Sequence, residues 1–202
     1  HLHGEGFHVP QGEVLAIVLV RDGAYYLDAF FDYYRALGIR PFAFIDNGST
    51  DDTIARLCQR DDCVVDRAVL PLAQYEDLMR AYPAQTYGQD RWCLYVDMDE
   101  QFDFEGGETI GSQGLTRYLE AQGHTALMAQ MLEMFPRAPL ADVQDLSFAE
   151  ALETFAYYDI STVESFAYHS DRIGFHALLR DNVLSSDAMQ FKFGGVRGKV
   201  FG

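Results

Sequence analysis

Val14-Leu15-Ala16-Ile17-Val18-Leu19-Val20 is the stretch that decides the fold. A strand with one wet face alternates apolar and polar residues. A strand covered on both faces reads instead as an unbroken apolar run, as here. Such strands belong to parallel sheets held between helices. Downstream, residues 25–37 carry Leu27, Phe30, Phe31, Tyr34 and Leu37 at helical spacing, and Gly38 is a natural stop. Pro41-Phe42-Ala43-Phe44-Ile45 is a second buried strand, Val64-Val65 a short third, and Trp92-Cys93-Leu94-Tyr95-Val96 a fourth, with a helix over 74–82. Between them Asp46-Asn47-Gly48-Ser49-Thr50-Asp51-Asp52 turns into a helix whose apolar face is Ile54, Leu57 and Cys58. Ser49 with Asp52 three residues later resembles a capping box. This alternation predicts an α/β fold with a mostly parallel sheet and right-handed crossovers.

The remainder of the chain is less periodic. Residues 115–122 and 148–157 read as helices and 126–131 as a strand. Residues 160–187 read as irregular and aromatic-rich, and 191–201 as a strand pair around Gly194-Gly195. Residues 1–13 form a leader or tag-proximal segment, and 14–202 a single domain. No signal peptide is recognisable and the chain does not begin with Met, so His1 is expected to follow a removed tag, a disordered segment or an upstream domain.

Composition narrows the function classes. The 202 residues are 49% apolar, enough for a packed core, and no apolar run approaches the roughly 20 residues of a membrane-spanning helix. The formal charge is −16, and Lys192 and Lys199 are the only lysines. Such a surface repels nucleic acid and anionic membranes. Cys58, Cys63 and Cys93 form no CxxC pair and are odd in number, which disfavours a disulfide framework and zinc, and favours a reducing, cytoplasmic compartment.

Two polar clusters end buried strands, where open parallel sheets bind ligands. One is Asp46-Asn47-Gly48-Ser49. Its Gly- and hydroxyl-rich turn presents free backbone N–H groups, and its carboxylate can accept from a ribose hydroxyl or a base N–H. An Asx turn with an N-cap explains the same residues structurally. The other is Asp97-Met98-Asp99-Glu100. Carboxylates crowded this closely raise one another's pKa unless a cation compensates, and their hard oxygens suit Mg²⁺ or Mn²⁺ completed by phosphate and water. A solvated acidic loop is the plain alternative. An EF-hand starting at Asp97 would place Asp99, Gln101, Asp103 and Glu108 correctly but Phe102 where a Gly is needed. A phosphatase of the haloacid dehalogenase type would have Thr or Val at Gln101 and its motif on the first strand, not the fourth.

Taken in order, Val20-Arg21-Asp22-Gly23-Ala24, Tyr33-Tyr34-Arg35-Ala36-Leu37-Gly38, Phe44-Ile45-Asp46-Asn47-Gly48-Ser49-Thr50-Asp51 and Trp92-Cys93-Leu94-Tyr95-Val96-Asp97-Met98-Asp99-Glu100 resemble family 2-like glycosyltransferases of the GT-A fold. The branch carries R-N-E, D-N-G-S-T-D and W-x-x-x-x-D-x-D-E motifs. Met134-Phe135-Pro136-Arg137-Ala138-Pro139-Leu140 and Gly194-Gly195-Val196-Arg197 look like it too. The resemblance implies a GT-A-type sheet flanked by helices, with a nucleotide-binding half over 14–104 and an acceptor-side half over 105–202. It implies a donor site of Arg21, Asp46, Asn47, Asp51 and Asp97, and an Mn²⁺ or Mg²⁺ site of Asp97 and Asp99, with Asp99 the more direct ligand and Glu100 shaping it. The expected partners are a nucleotide-sugar, a UDP-sugar first, and a saccharide or glycan acceptor. The expected reaction is an inverting transfer in polysaccharide assembly, in the cytoplasm or peripheral to the inner membrane through partners. Glu133, or else Glu164 or Asp171, is the candidate general base. Phe155, Tyr157, Tyr158, Phe166, Tyr168 and Phe175 could line an acceptor site or simply pack.

The chain departs from this pattern twice. Asp22-Gly23 replaces the Asn-Glu, and the His that completes the metal site after G-G-x-R is not present; His169 and His176 precede it. A C-terminal truncation is therefore expected. A metal-dependent phosphatase or nucleotide-handling enzyme, and a non-catalytic binding module of the same fold, are the alternative readings.

Overall fold

The structure, a computed structural model, describes residues 1–159 and the strands Val163–Ala167 and Ala188–Lys192. The chain divides into two compact units, His1–Thr116 and Arg117–Gly202.

The first unit is built on a four-stranded, all-parallel sheet in the order β3-β2-β1-β4. The strands are β1 (Leu15–Val20), β2 (Phe42–Asp46), β3 (Cys63–Arg67) and β4 (Cys93–Tyr95). The helices are α1 (Leu27–Ala36), α2 (Thr53–Leu57), α3 (Leu72–Tyr87) and α4 (Gly107–Ala121), the last running into the second unit.

The apolar runs have the physical cause expected of them. Ala16, Val18 and Val20 of β1, Phe42 and Phe44 of β2, and Cys63 and Val65 of β3 face one core with Leu27, Phe30, Phe31 and Tyr34 of α1 and Leu57 of α2. The alternate residues Leu15, Ile17, Ala43 and Val64 face a second core with Val9, Phe7 and, from α3, Ala84 and Tyr87. Both faces are dry, so period two is present in space but invisible in hydrophobicity. This is a Rossmann-like, helix–sheet–helix arrangement. Residues at the N-terminus close one sheet edge: Val65 donates its N–H to the His3 carbonyl at 3.1 Å and accepts from Leu2 N at 2.8 Å. The backbone groups of Val65, in the middle of the outer edge of β3, are thereby paired.

Several expectations are corrected. The helix expected over 74–82 runs through Pro83 to Tyr87. Pro83 is buried, and Ala84 and Tyr87 beyond it pack into the second core, so burial outweighs the lost hydrogen bond. Ser49 forms no capping box. Its hydroxyl instead accepts the Asp22 N–H at 2.9 Å, and α2 begins at Asp52 with no side-chain cap bond.

In the second unit, residues 127–131 form no strand. Helix α5 (Phe148–Thr154) begins with a capping box between Ser147 and Glu150 and ends three residues short of the expected 157. Strands β5 (Val163–Ala167) and β6 (Ala188–Lys192) pair antiparallel, so β5 occupies part of the stretch expected to be irregular. The strand pair expected over 191–201 overlaps β6 at Phe191 and Lys192; the rest of it, with Arg197, and the positions His169, Asp171, His176, Tyr168 and Phe175 lie outside the described residues. No helix among the described residues is long and apolar enough to cross a membrane.

Candidate functional site

Strand order decides where a ligand can enter. From β1 the chain steps outward to β2 and β3, then returns to the other side of β1 as β4. The order reverses between β1 and β4, and crossover connections leave a crevice outside the carboxyl ends of strands at such a point. A cleft of about 560 Å³ lies there. Leu19, Val20 and Arg21 line it from the end of β1, Asn47 from the end of β2, Leu70, Pro71, Glu76 and Arg80 from the start of α3, and Asp97, Met98 and Asp99 from beyond β4. A second depression, of about 410 Å³, opens among Glu13, Arg40, Pro41 and Asp62 at the amino ends of the strands, the wrong end for ligand-binding loops.

The acidic turn after β4 is set by alternation. Val96 and Met98 are buried in the first core, so Asp97 and Asp99 project outward on either side of Met98. The next residues are clamped by α1. The Tyr34 hydroxyl donates to the Glu100 carbonyl at 2.9 Å and accepts from Phe102 N at 3.0 Å, and the Tyr33 hydroxyl donates to the Phe102 carbonyl at 2.9 Å. Burial pushes the Tyr34 phenol far above its ordinary range, so it keeps its proton for that donation.

The two aspartates differ in their partners. Asp97 accepts a 2.6 Å hydrogen bond from the Arg80 guanidinium, which also reaches Glu76 at 3.0 Å one turn earlier on α3. Asp99 is exposed and has no hydrogen bond or ion pair among the described residues. Glu100 turns back, and one carboxylate oxygen accepts Asp97 N–H at 3.3 Å. Burial first, then the neighbouring Asp97 and Asp99, lifts the Glu100 carboxyl above its usual range despite that bond. Burial, with Asp99 as the next contributor, also raises the Tyr26 phenol on the opposite wall.

The turn after β2 is spent largely on itself. Asp46 is fully buried, accepts from Ser49 N at 2.9 Å and Gly48 N at 3.2 Å, and pairs with Arg67 Nε at 3.0 Å. It is not among the residues lining the cleft, and a ligand reaches it only if Arg67 moves. Asn47 lines the cleft, but its amide donates to the Ala68 and Leu70 carbonyls at 2.8 and 2.9 Å, holding the segment that leads from β3 to α3. Asp51 caps outward: its carboxylate accepts from Thr53 N at 3.0 Å and Ala24 N at 3.1 Å.

Asp22-Gly23 takes its meaning from the same turn. Asp22 has φ 52°, in the left-handed region that Asp tolerates. Its carboxylate accepts from Thr50 N at 2.7 Å and Asp51 N at 3.3 Å, so the β1 and β2 loops are latched together. The Thr50 hydrogen bond holds the Asp22 carboxyl below its ordinary range. A Cβ at Gly23 would lie 2.7 Å from Val20 Cγ2 and 3.6 Å from Met98, which leaves no room there for a carboxylate side chain.

The structure thus brings Arg21, Asn47, Asp97 and Asp99 to one cleft. Asp46 is buried out of it, and Asp51 is committed to the latch. Glu133 is an exposed residue of the second unit, in a stretch without strand structure, and Glu164 lies on β5. Sequence reasoning missed Arg80 and Glu76. Their i, i+4 spacing was readable, but the reach to Asp97, 17 residues on, was not. No protein-family model matches this chain, and no curated protein matches it.

Proposed function

We propose that this chain is a glycosyltransferase of the GT-A type, moving a sugar from a nucleoside diphosphate donor, a UDP-sugar first, to a saccharide hydroxyl with the help of Mn²⁺ or Mg²⁺. One observation carries the reading: Asp97 and Asp99 share a cleft with Arg21 at the carboxyl ends of β1 and β4, where the strand order reverses. Charge supports it. Three carboxylates, Glu76, Asp97 and Asp99, face two guanidinium groups, Arg21 and Arg80, so the cleft is negative by one and repels a diphosphate on its own. A divalent cation reverses that sign.

The donor set suits such a cation. Among the described residues no three His, Cys, Asp or Glu gather around one point. Two hard carboxylates are nonetheless what a small divalent ion needs when water and phosphate oxygens supply the rest. Asp99, without a hydrogen-bond or ion-pair partner among the described residues, and the second oxygen of Asp97 would hold it. Bound there, the cation would neutralise the departing nucleoside diphosphate. Arg21, exposed just beyond β1, would meet a phosphate, and Leu70, Pro71 and Leu72 would offer an apolar wall to a base.

The test is thermal stability against a panel of nucleoside diphosphates, with and without Mn²⁺. The expected result is stabilisation by UDP or GDP only when the cation is present. Hydrolysis of a simple phosphomonoester would move the reading to a phosphatase. Absence of any nucleotide effect with Mn²⁺ present would leave a non-catalytic module.

A further inference from the structure

Arg80 is the one cation that touches the acidic turn of the cleft among the described residues. Its neighbours Met79 and Pro83 on α3 are buried, which fixes the helix face from which it reaches. The side chain is only 20% exposed, and its guanidinium bridges Glu76 and Asp97 at 3.0 and 2.6 Å. Those contacts use Nε and one Nη2 hydrogen, and the remaining N–H groups of the five are left for another acceptor. Glu76, Arg80, Asp97 and Asp99 all line the same cavity.

We infer that Arg80 is a resident countercharge for Asp97 that releases this carboxylate when a divalent cation arrives and turns its free N–H groups to a phosphate oxygen of the ligand. The inference rests on the proposed nucleotide-sugar reading and adds a residue to it. Without ligand, the guanidinium offsets the crowding of Asp97 against Asp99 and Glu100. A cation on the second oxygen of Asp97 draws on the same carboxylate charge that holds Arg80 at the first, so guanidinium and cation oppose each other there. A diphosphate reverses the relation, because guanidinium groups bind phosphate oxygens through paired, charge-assisted hydrogen bonds. Glu76 then acts as the rear tether, holding the guanidinium near the cleft when it lets go of Asp97. Arg80 is a positioning and ligand-binding residue, one whose removal should shift two affinities in opposite directions.

The experiment uses Arg80→Gln in the whole chain. Mn²⁺ binding is measured alone by electron paramagnetic resonance, and UDP binding by calorimetry at saturating Mn²⁺. The expected result is Mn²⁺ binding tighter by several-fold and UDP binding weaker by about tenfold, the order of one lost charge-assisted contact. If both affinities fall together, or neither moves, Arg80 is a structural tie and the inference is overturned. Should the Gln variant not fold, Arg80→Lys, shorter and without the planar fork, serves the same test: both shifts keep their signs and shrink. If the wild-type protein binds Mn²⁺ but no nucleoside diphosphate, the functional reading fails; a tighter Mn²⁺ site in the variant would still establish the competition at Asp97.

Discussion

Removing a single oxygen atom, in Tyr34→Phe, tests how the acidic turn is held. The ring is fully buried between Phe30, at 4.7 Å, and Tyr33, at 5.2 Å, and Phe preserves it. Only the hydroxyl goes, with its bonds to the Glu100 carbonyl and the Phe102 N–H. Both main-chain groups are partly buried and lose their protein partner. At about 1 kcal/mol net for each bond, the loss is about 2 kcal/mol. For a chain of this size that corresponds to a fall in Tm of about 4–8 °C. The assay is differential scanning fluorimetry, with amide hydrogen exchange as its local counterpart: the Phe102 amide should exchange faster than in the wild type. Because the clamped segment follows directly on Asp97 and Asp99, Mn²⁺ affinity should fall as well. A Tm within about 1 °C of wild type, with the Phe102 amide still protected, would refute the view that Tyr34 fixes this turn.

Other expectations follow from the same geometry. Asp99→Asn should leave Tm nearly unchanged, since the side chain is exposed and unpartnered among the described residues, yet abolish cation-dependent UDP binding in calorimetry. Met98→Ala, which removes a buried anchor between the two aspartates, should cost about 2–5 kcal/mol in urea unfolding and weaken Mn²⁺ binding. Asp22 should make stability depend on acid: its folded pKa is depressed, so its contribution is complete above the ordinary value of 3.8 and fades as pH falls through the lower folded value. Tm measured from pH 5 to pH 2.5 should therefore fall less steeply in Asp22→Asn than in the wild type.

The parallel sheet was legible because its evidence is local. A strand dry on both faces announces itself as an apolar run, and β1, β2 and β4 each fall within a residue or so of where those runs stand. The acidic ends of the strands were equally plain, since a charge cluster after a buried strand needs no partner to be seen. What sequence hid was pairing at a distance. Asp46 looked available to a ligand because Arg67, the partner that covers it, lies 21 residues downstream on the neighbouring strand. Asp51 and Ser49 looked like helix caps, and neither shows that Asp22 and Ala24 across the β1 loop are their partners. The helix expected over 74–82 fell short because the core contacts of Ala84 and Tyr87 that carry α3 past Pro83 leave no local mark in the sequence. The second unit was obscure for a simpler reason: β5 and β6 pair antiparallel across 20 intervening residues, and neither carries an apolar run of the β1 kind.

Met98 has a further consequence for how this turn can change over evolutionary time. Side chains around it point alternately inward and outward, so sliding the segment by one position would bury a carboxylate and expel a thioether. The gap between the two acidic groups is thus measured out by an oily peg, not by the charges themselves. Substitutions nearby can alter the surrounding charge without unsettling that gap, whereas an insertion or deletion of one residue would erase it.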